Sequence, residues 1–157
     1  MIFVTVGTQL PFDRMVGQVD LWARGSGAEV FAQVGPTERK FRHIEAVPFL
    51  KPEEAMSRVV QARCIVAHAG MGTILSGLAA RKPLLVVPRK ASLGEHRNEH
   101  QLATARQLSE RGLITVAWDE HELLERLDHL ADLKVGPEVP PHATDELLDA
   151  VRGFLSY

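Results

Sequence analysis

A single cysteine in 157 residues excludes a disulfide within the chain. Cys64 stands inside the apolar run Cys64 Ile65 Val66 Ala67, where a core role in a reducing compartment is expected. Charge of one sign is lacking too, since 18 Lys and Arg against 20 Asp and Glu leave −2, which gives neither a nucleic-acid footprint nor an acidic tail. No run approaches the roughly 20 apolar residues of a membrane span, and the sequence opens directly in a strand-like stretch without a basic lead-in. A cytoplasmic location is therefore expected. Three familiar site patterns are missing as well. A nicotinamide site needs G-x-G-x-x-G after the first strand and an acid ending the second, but the turn here reads Gly7 Thr8 Gln9 Leu10 and the second strand ends at Val34 Gly35. Neither a P-loop nor a G-x-S-x-G elbow occurs.

What is present is a regular alternation. Residues 2–6 form the first expected strand, and Pro11 suits the first turn of a helix reaching about Arg24, where Gly25 and Gly27 stop it. Residues 29–34 give a second strand, 43–47 a short third, and a helix follows from Pro52 to about Ala62. A fourth strand at 64–67 runs into His68 Ala69 Gly70 Met71 Gly72 Thr73, after which helical spacing holds over 74–80. Residues 84–87 form a fifth strand ending at Pro88, and 91–95 a loop. A helix is expected from about Asn98 to Arg111, with Gly112 as its stop, then a sixth strand over 113–117 and a helix from Asp119 to about Leu130. The pattern predicts one domain over 1–157, an α/β doubly wound parallel sheet of about six strands, Rossmann-like. Beyond Pro137, Pro140 and Pro141, a terminal helix over 144–155 would carry Leu147, Leu148, Val151, Phe154 and Leu155 on one stripe, packed on its own domain or on a partner.

The stretch from 67 to 101 holds the candidate chemistry. A strand, a glycine-rich turn and a helix start make an anion site, because bare Cα atoms at Gly70 and Gly72 admit a ligand and the helix amides favour phosphate. His68 is a candidate donor to that anion or a satisfied core histidine. Thr73 offers a hydroxyl to phosphate or bonds locally to backbone. Arg89, leaving a strand beside the loop, stands out from Arg81, Lys82, Lys90 and Arg97 as the candidate cation.

A rival pattern crosses the same stretch. His96 Arg97 Asn98 Glu99 His100 fits H-x-x-E-H, which requires both histidines one turn apart on a helix plus a third zinc ligand. Asn98 and Gln101 have capping-box spacing instead, and a helix starting at Asn98 leaves His96 outside it.

Val4 Thr5 Val6 Gly7 Thr8 with Pro11 Phe12 Asp13, the block His68 to Thr73, Pro88 Arg89, and Gly94 Glu95 His96 Arg97 Asn98 with His100 Gln101 together resemble the family-28 glycosyltransferase C-terminal domain. The narrower likeness is to short donor-binding subunits of split glycosyltransferases in bacterial exopolysaccharide assembly, with a eukaryotic relative in the soluble subunit of the dolichol-linked N-acetylglucosamine transferase. The resemblance implies the C-terminal, UDP-sugar-binding half of a GT-B enzyme. In it Gly70, Met71, Gly72 and Thr73 hold the diphosphate, and the Phe49 loop receives the uracil. Asn98 and Gln101, with His100 and Glu99, face the sugar, flanked by Glu95, His96 and Arg97. Gly7 and Thr8 form the opposite wall, and His68 and Arg89 stabilise the leaving group. It further implies an inverting transfer to a lipid-diphosphate-linked acceptor, without metal or cofactor, in concert with a membrane-associated subunit that supplies the general base and keeps this chain at the inner face of the membrane. The basic pair Arg89 and Arg97 points to UDP-glucuronate, with UDP-glucose and UDP-N-acetylglucosamine also open. A homo-oligomer and a non-catalytic nucleotide-sugar-binding module stay open too. One departure stands out: Ser76 occupies the place where membrane-associated peptidoglycan relatives have a ribose-binding glutamate.

Overall fold

The computed structural model describes residues 1–138, so the expected terminal helix lies outside the described residues. Six parallel strands form one sheet: β1 (Ile2–Thr5), β2 (Val30–Gln33), β3 (Glu45–Val47), β4 (Cys64–His68), β5 (Leu84–Val87) and β6 (Thr115–Val116). Their order is β3-β2-β1-β4-β5-β6, with every neighbouring pair parallel. The helices α1 (Asp13–Ser26), α2 (Pro52–Gln61), α3 (Met71–Ala79), α4 (His100–Glu110) and α5 (Glu120–Asp128) fill the connections. The expected Rossmann-like sheet is what the chain forms, and its direction reverses between β1 and β4, where open α/β sheets leave a crevice.

The two-residue period of the strands decides which side chains meet which helices. Ile2, Val4, Val6, Cys64, Val66, Leu85 and Val87 pack with Met15, Val16 and Val19 of α1 and with Leu123 and Leu127 of α5. Phe3, Ile65, Ala67, Leu84 and Val86 pack with Val59 of α2, Ile74 and Leu78 of α3, and Ala105 and Leu108 of α4. Each face is thus buried, which is why the strands read as continuous apolar runs. Continued past the strand ends, the same alternation sends His68 after Val66, and Arg89 after Val87, toward the α1 side. Cys64 is core as expected, and burial pushes its thiol up to about 11, opposed by the positive charges of Arg63 and the N-terminus.

Helix boundaries differ from the sequence expectation in two informative places. The third helix begins at Met71 rather than Ile74, with Gly70 as N-cap, because packing of Ile74 and Leu78 on the sheet outweighs the poor helix propensity of Gly72. The fourth begins at His100 rather than Asn98, with Glu99 as N-cap.

Candidate active site

At the crevice between β1 and β4 lies a cleft of about 430 Å³. It is lined by Val6 and the loop Gly7 Thr8 Gln9 Leu10 on one side, His68, Gly70, Gly72 and Thr73 on the other, and Arg89, His96 and Gln101 at the β5 side. The turn between β4 and α3 holds only Ala69 and Gly70, so Met71, Gly72 and Thr73 form the helix's first turn. No side chain caps that turn and no acidic residue stands in it. Its amides and dipole are therefore available to an anion.

The two glycines serve different purposes. A Cβ on Gly70 would meet the His68 ring, 2.2 Å from Cε1 and 2.6 Å from Nε2, whereas a Cβ on Gly72 would have nothing within 4 Å. Gly70 is therefore needed to seat the imidazole, and Gly72 is the one that leaves room for a ligand. Gly7, at φ 77°, also closes on the ring, its virtual Cβ 2.8 Å from His68 Nε2. The half-buried ring is held neutral: burial, then the charges of Arg89 and His96, push its pKa down to about 4. His68 lines the cleft as a neutral group at pH 7 and is not a cation there.

Arg89 is only 2% exposed. One terminal nitrogen donates to Pro11 O (2.6 Å) and Glu95 O (3.4 Å), the other to Val6 O and Leu10 O (both 2.8 Å), and the guanidinium lies over the Phe12 ring at 4.8 Å. Burial lowers its pKa, opposed by the charge of Glu95. Its terminal donors thus hold the loop between β1 and α1 in shape, while the side chain also borders the cleft. The alternation of β5 drives this, because it turns Arg89 under the loop rather than out to solvent.

Glu95 and Gln101 have structural partners as well, and of the two only Gln101 also lines the cleft. The Glu95 carboxylate accepts from Arg14 Nε (2.5 Å) and from Lys90 N (2.9 Å), bolting the 90–95 loop to α1. Gln101 is no cap: its Oε1 accepts from Ala69 N (3.2 Å) and Arg89 N (3.0 Å), and its Nε2 lies 3.2 Å from His68 Nδ1. Asn98 caps locally, its Oδ1 accepting from His100 N at 3.0 Å, while Glu99 accepts from Ser92 N. His96 lies outside the helix that begins at His100, which removes the geometry H-x-x-E-H needs. Among the described residues no group of three His, Cys, Asp or Glu is placed to hold a metal.

Of the remaining expected residues, Thr8 and Thr73 line the cleft, whereas Met71, Arg97, Asn98, Glu99 and His100 are not among its lining residues. Phe49 is neither core nor cleft wall, being 50% exposed on the loop after β3. Ser76 turns its hydroxyl back to Gly72 O at 2.9 Å. The residue that sequence reading missed is Gln33. It ends β2 buried, donates to Gly7 O (2.8 Å) and accepts from Leu50 N (3.0 Å), so one amide ties the β1 and β3 loops together. A glutamine closing an otherwise apolar strand was the available signal.

This fold recurs in solved glycosyltransferases. ALG13 matches with a TM-score of 0.62 at 18% identity over 96% of this chain and 93% of its own. MurG of Acinetobacter baumannii gives 0.59 at 18% over 83% of this chain and 41% of its own, and Os79 of O. sativa, in complex with UDP, gives 0.63 at 16% over 99% and 34%. The chain likewise spans 37–38% of the kitacinnamycin glycotransferase and the calicheamicin glycosyltransferase CalG4. No curated protein matches it in sequence. No helix among the described residues is long and apolar enough to cross a membrane. The model of the glycosyltransferase family 28 C-terminal domain covers residues 1–145, and the chain belongs to that family.

Proposed function

We propose that this chain is the donor-binding half of an inverting, metal-independent glycosyltransferase that uses a UDP-sugar. The observation that carries the reading is the uncapped start of α3, opening at Gly72 onto the cleft beside His68. Os79, which shares the fold, was solved with UDP, in keeping with such a donor. As the bond from the sugar C1 to the UDP oxygen breaks, its electron pair leaves on UDP. Fixed amides at the helix start, joined by the Thr73 hydroxyl, stabilise that charge better in the transition state than in the substrate, a donor of this kind being worth ~3 kcal/mol. The acceptor oxygen bonds to C1 from the opposite side, and its proton passes to a base.

No carboxylate lines the cleft among the described residues. In this reading the base comes from a second, membrane-associated subunit, which brings a lipid-diphosphate-linked saccharide in exopolysaccharide assembly. The uracil falls to the loop at Phe49, and the sugar to Asn98, His96 and His100. With Arg89 engaged on carbonyls, a glucuronate carboxylate is left to exposed Arg97, and neutral UDP-sugars compete on equal terms.

Calorimetric titration with UDP, UDP-glucuronate, UDP-glucose and UDP-N-acetylglucosamine in EDTA tests the reading. Binding should survive the chelator and weaken about 100-fold in Gly72→Asp, since a carboxylate against a diphosphate costs ~3 kcal/mol. Failure of every nucleotide to bind, with the partner subunit present as well as without, overturns it.

A further inference from the structure

Gln101 belongs to α4, packed on one face of the sheet, yet its carboxamide reaches the ends of two strands at once. His68 pairs with Val87 in the sheet register, so Ala69 N and Arg89 N emerge next to each other where β4 and β5 end. Both amides point at Gln101 Oε1. An amide N–H only donates, so the group facing this pair has to be the oxygen, and the reverse orientation would set NH2 against two N–H groups. With the oxygen fixed, the amide nitrogen 3.2 Å from His68 Nδ1 must donate to it. Nδ1 is then an acceptor, and a neutral imidazole carries its proton on Nε2.

We propose that Gln101 is a positioning residue that locks His68 as the Nε2–H tautomer, so that the ring presents a neutral N–H donor on the anion side of the cleft. The backbone thereby sets a side-chain protonation state through one intermediary: two strand-end amides orient the glutamine, and the glutamine orients the proton. Gly70 and Gly7 pack on the ring and hold it against turning over. Placing a second proton on Nδ1 requires the Gln101 amide to be turned away, which strips Ala69 N and Arg89 N of their acceptor. The low pKa of His68 agrees with this geometry. A neutral donor also distinguishes the site chemically, because it binds a leaving diphosphate without itself supplying a proton to it. That last step rests on the donor-site reading above, whereas the tautomer does not.

The test is a long-range proton–nitrogen NMR spectrum of the full chain, uniformly labelled and without ligand, with the His68 signals assigned by their absence in His68→Asn. At pH 7 wild type should show the Nε2–H pattern, unchanged down to about pH 5. Gln101→Glu keeps an oxygen for the two backbone amides but has no N–H to donate. It should move the proton to Nδ1 and raise the His68 titration midpoint by at least one unit, as a carboxylate neighbour does. A purely structural Gln101 would leave both readouts where they were. An Nδ1–H pattern in wild type overturns the proposal without any variant, as does an unchanged tautomer and midpoint in Gln101→Glu. If the chain bound no UDP while these signatures appeared, the donor reading would fail and the role of Gln101 would stand.

Discussion

Two turns face each other across the cleft, and both lead from a central strand into a helix. After β4 the connection is two residues long and delivers a bare helix start, with no acid in its first turn. After β1 it runs from Val6 to Phe12, and the helix it reaches carries Asp13 in its own first turn. That carboxylate already answers the α1 dipole, Oδ2 also accepting from Thr37 Oγ1 at 2.9 Å. The long loop is clamped from below by Arg89 and from the side by Gln33. One turn is thus left electrostatically open, and the other is closed and held as a wall. An anion site follows less from having a helix start at the sheet edge, which both have, than from not having filled it.

The contrast can be broken from either side. Arg89→Ala should have the largest effect, because four carbonyls lose their donor and a buried cavity opens. A loss of about 3–5 kcal/mol of stability is expected by denaturant titration, with Arg89→Lys unable to restore the fork. Gly70→Ala comes next: the new Cβ must displace the imidazole, costing about 1–3 kcal/mol, whereas Gly72→Ala should leave the melting temperature within a degree or two. Acid follows. His68 stays neutral in the folded chain to about pH 4 but takes up a proton near 6.5 when unfolded, so the unfolded state binds more protons as pH falls. Stability should drop by about 1–2 kcal/mol between pH 7 and pH 5, with no contribution from this residue above pH 7, and His68→Asn should flatten that part of the profile. The smallest effect belongs to Asp13→Asn, about 0.5–1 kcal/mol, and a titration with UDP should show no second binding site at α1.

The sheet was legible because its strands are short apolar runs punctuated by Gly and Pro, and alternation alone implied six strands buried on both faces. The start of α3 was shifted because Gly72 reads as a breaker, while the force placing it inside the helix comes from Ile74 and Leu78 meeting the sheet. Arg89, in Val87 Pro88 Arg89 Lys90, looks like any charge leaving a strand. Only the partners it finds 78 to 83 residues earlier show that it is buried. Gln101 was read as half of a local cap for the same reason: spacing reports neighbours along the helix, and its three partners lie 12 to 33 residues back.

The sheet order also fixes when during synthesis a cleft can exist. β1 precedes the other strands of this sheet in sequence, yet it sits in the middle, next to β4, and its loop is clamped by Arg89. A ribosome-bound chain that has emerged only to Pro83 therefore holds β1 beside β2 and β4 with the Val6, Leu10 and Pro11 carbonyls still waiting for a donor. Only once Gln101 has left the exit tunnel are both strand ends and the histidine tied, so the site is completed late, after β1 to β5 have all emerged. The open edge of β4 is exposed only until β5 emerges and pairs with it.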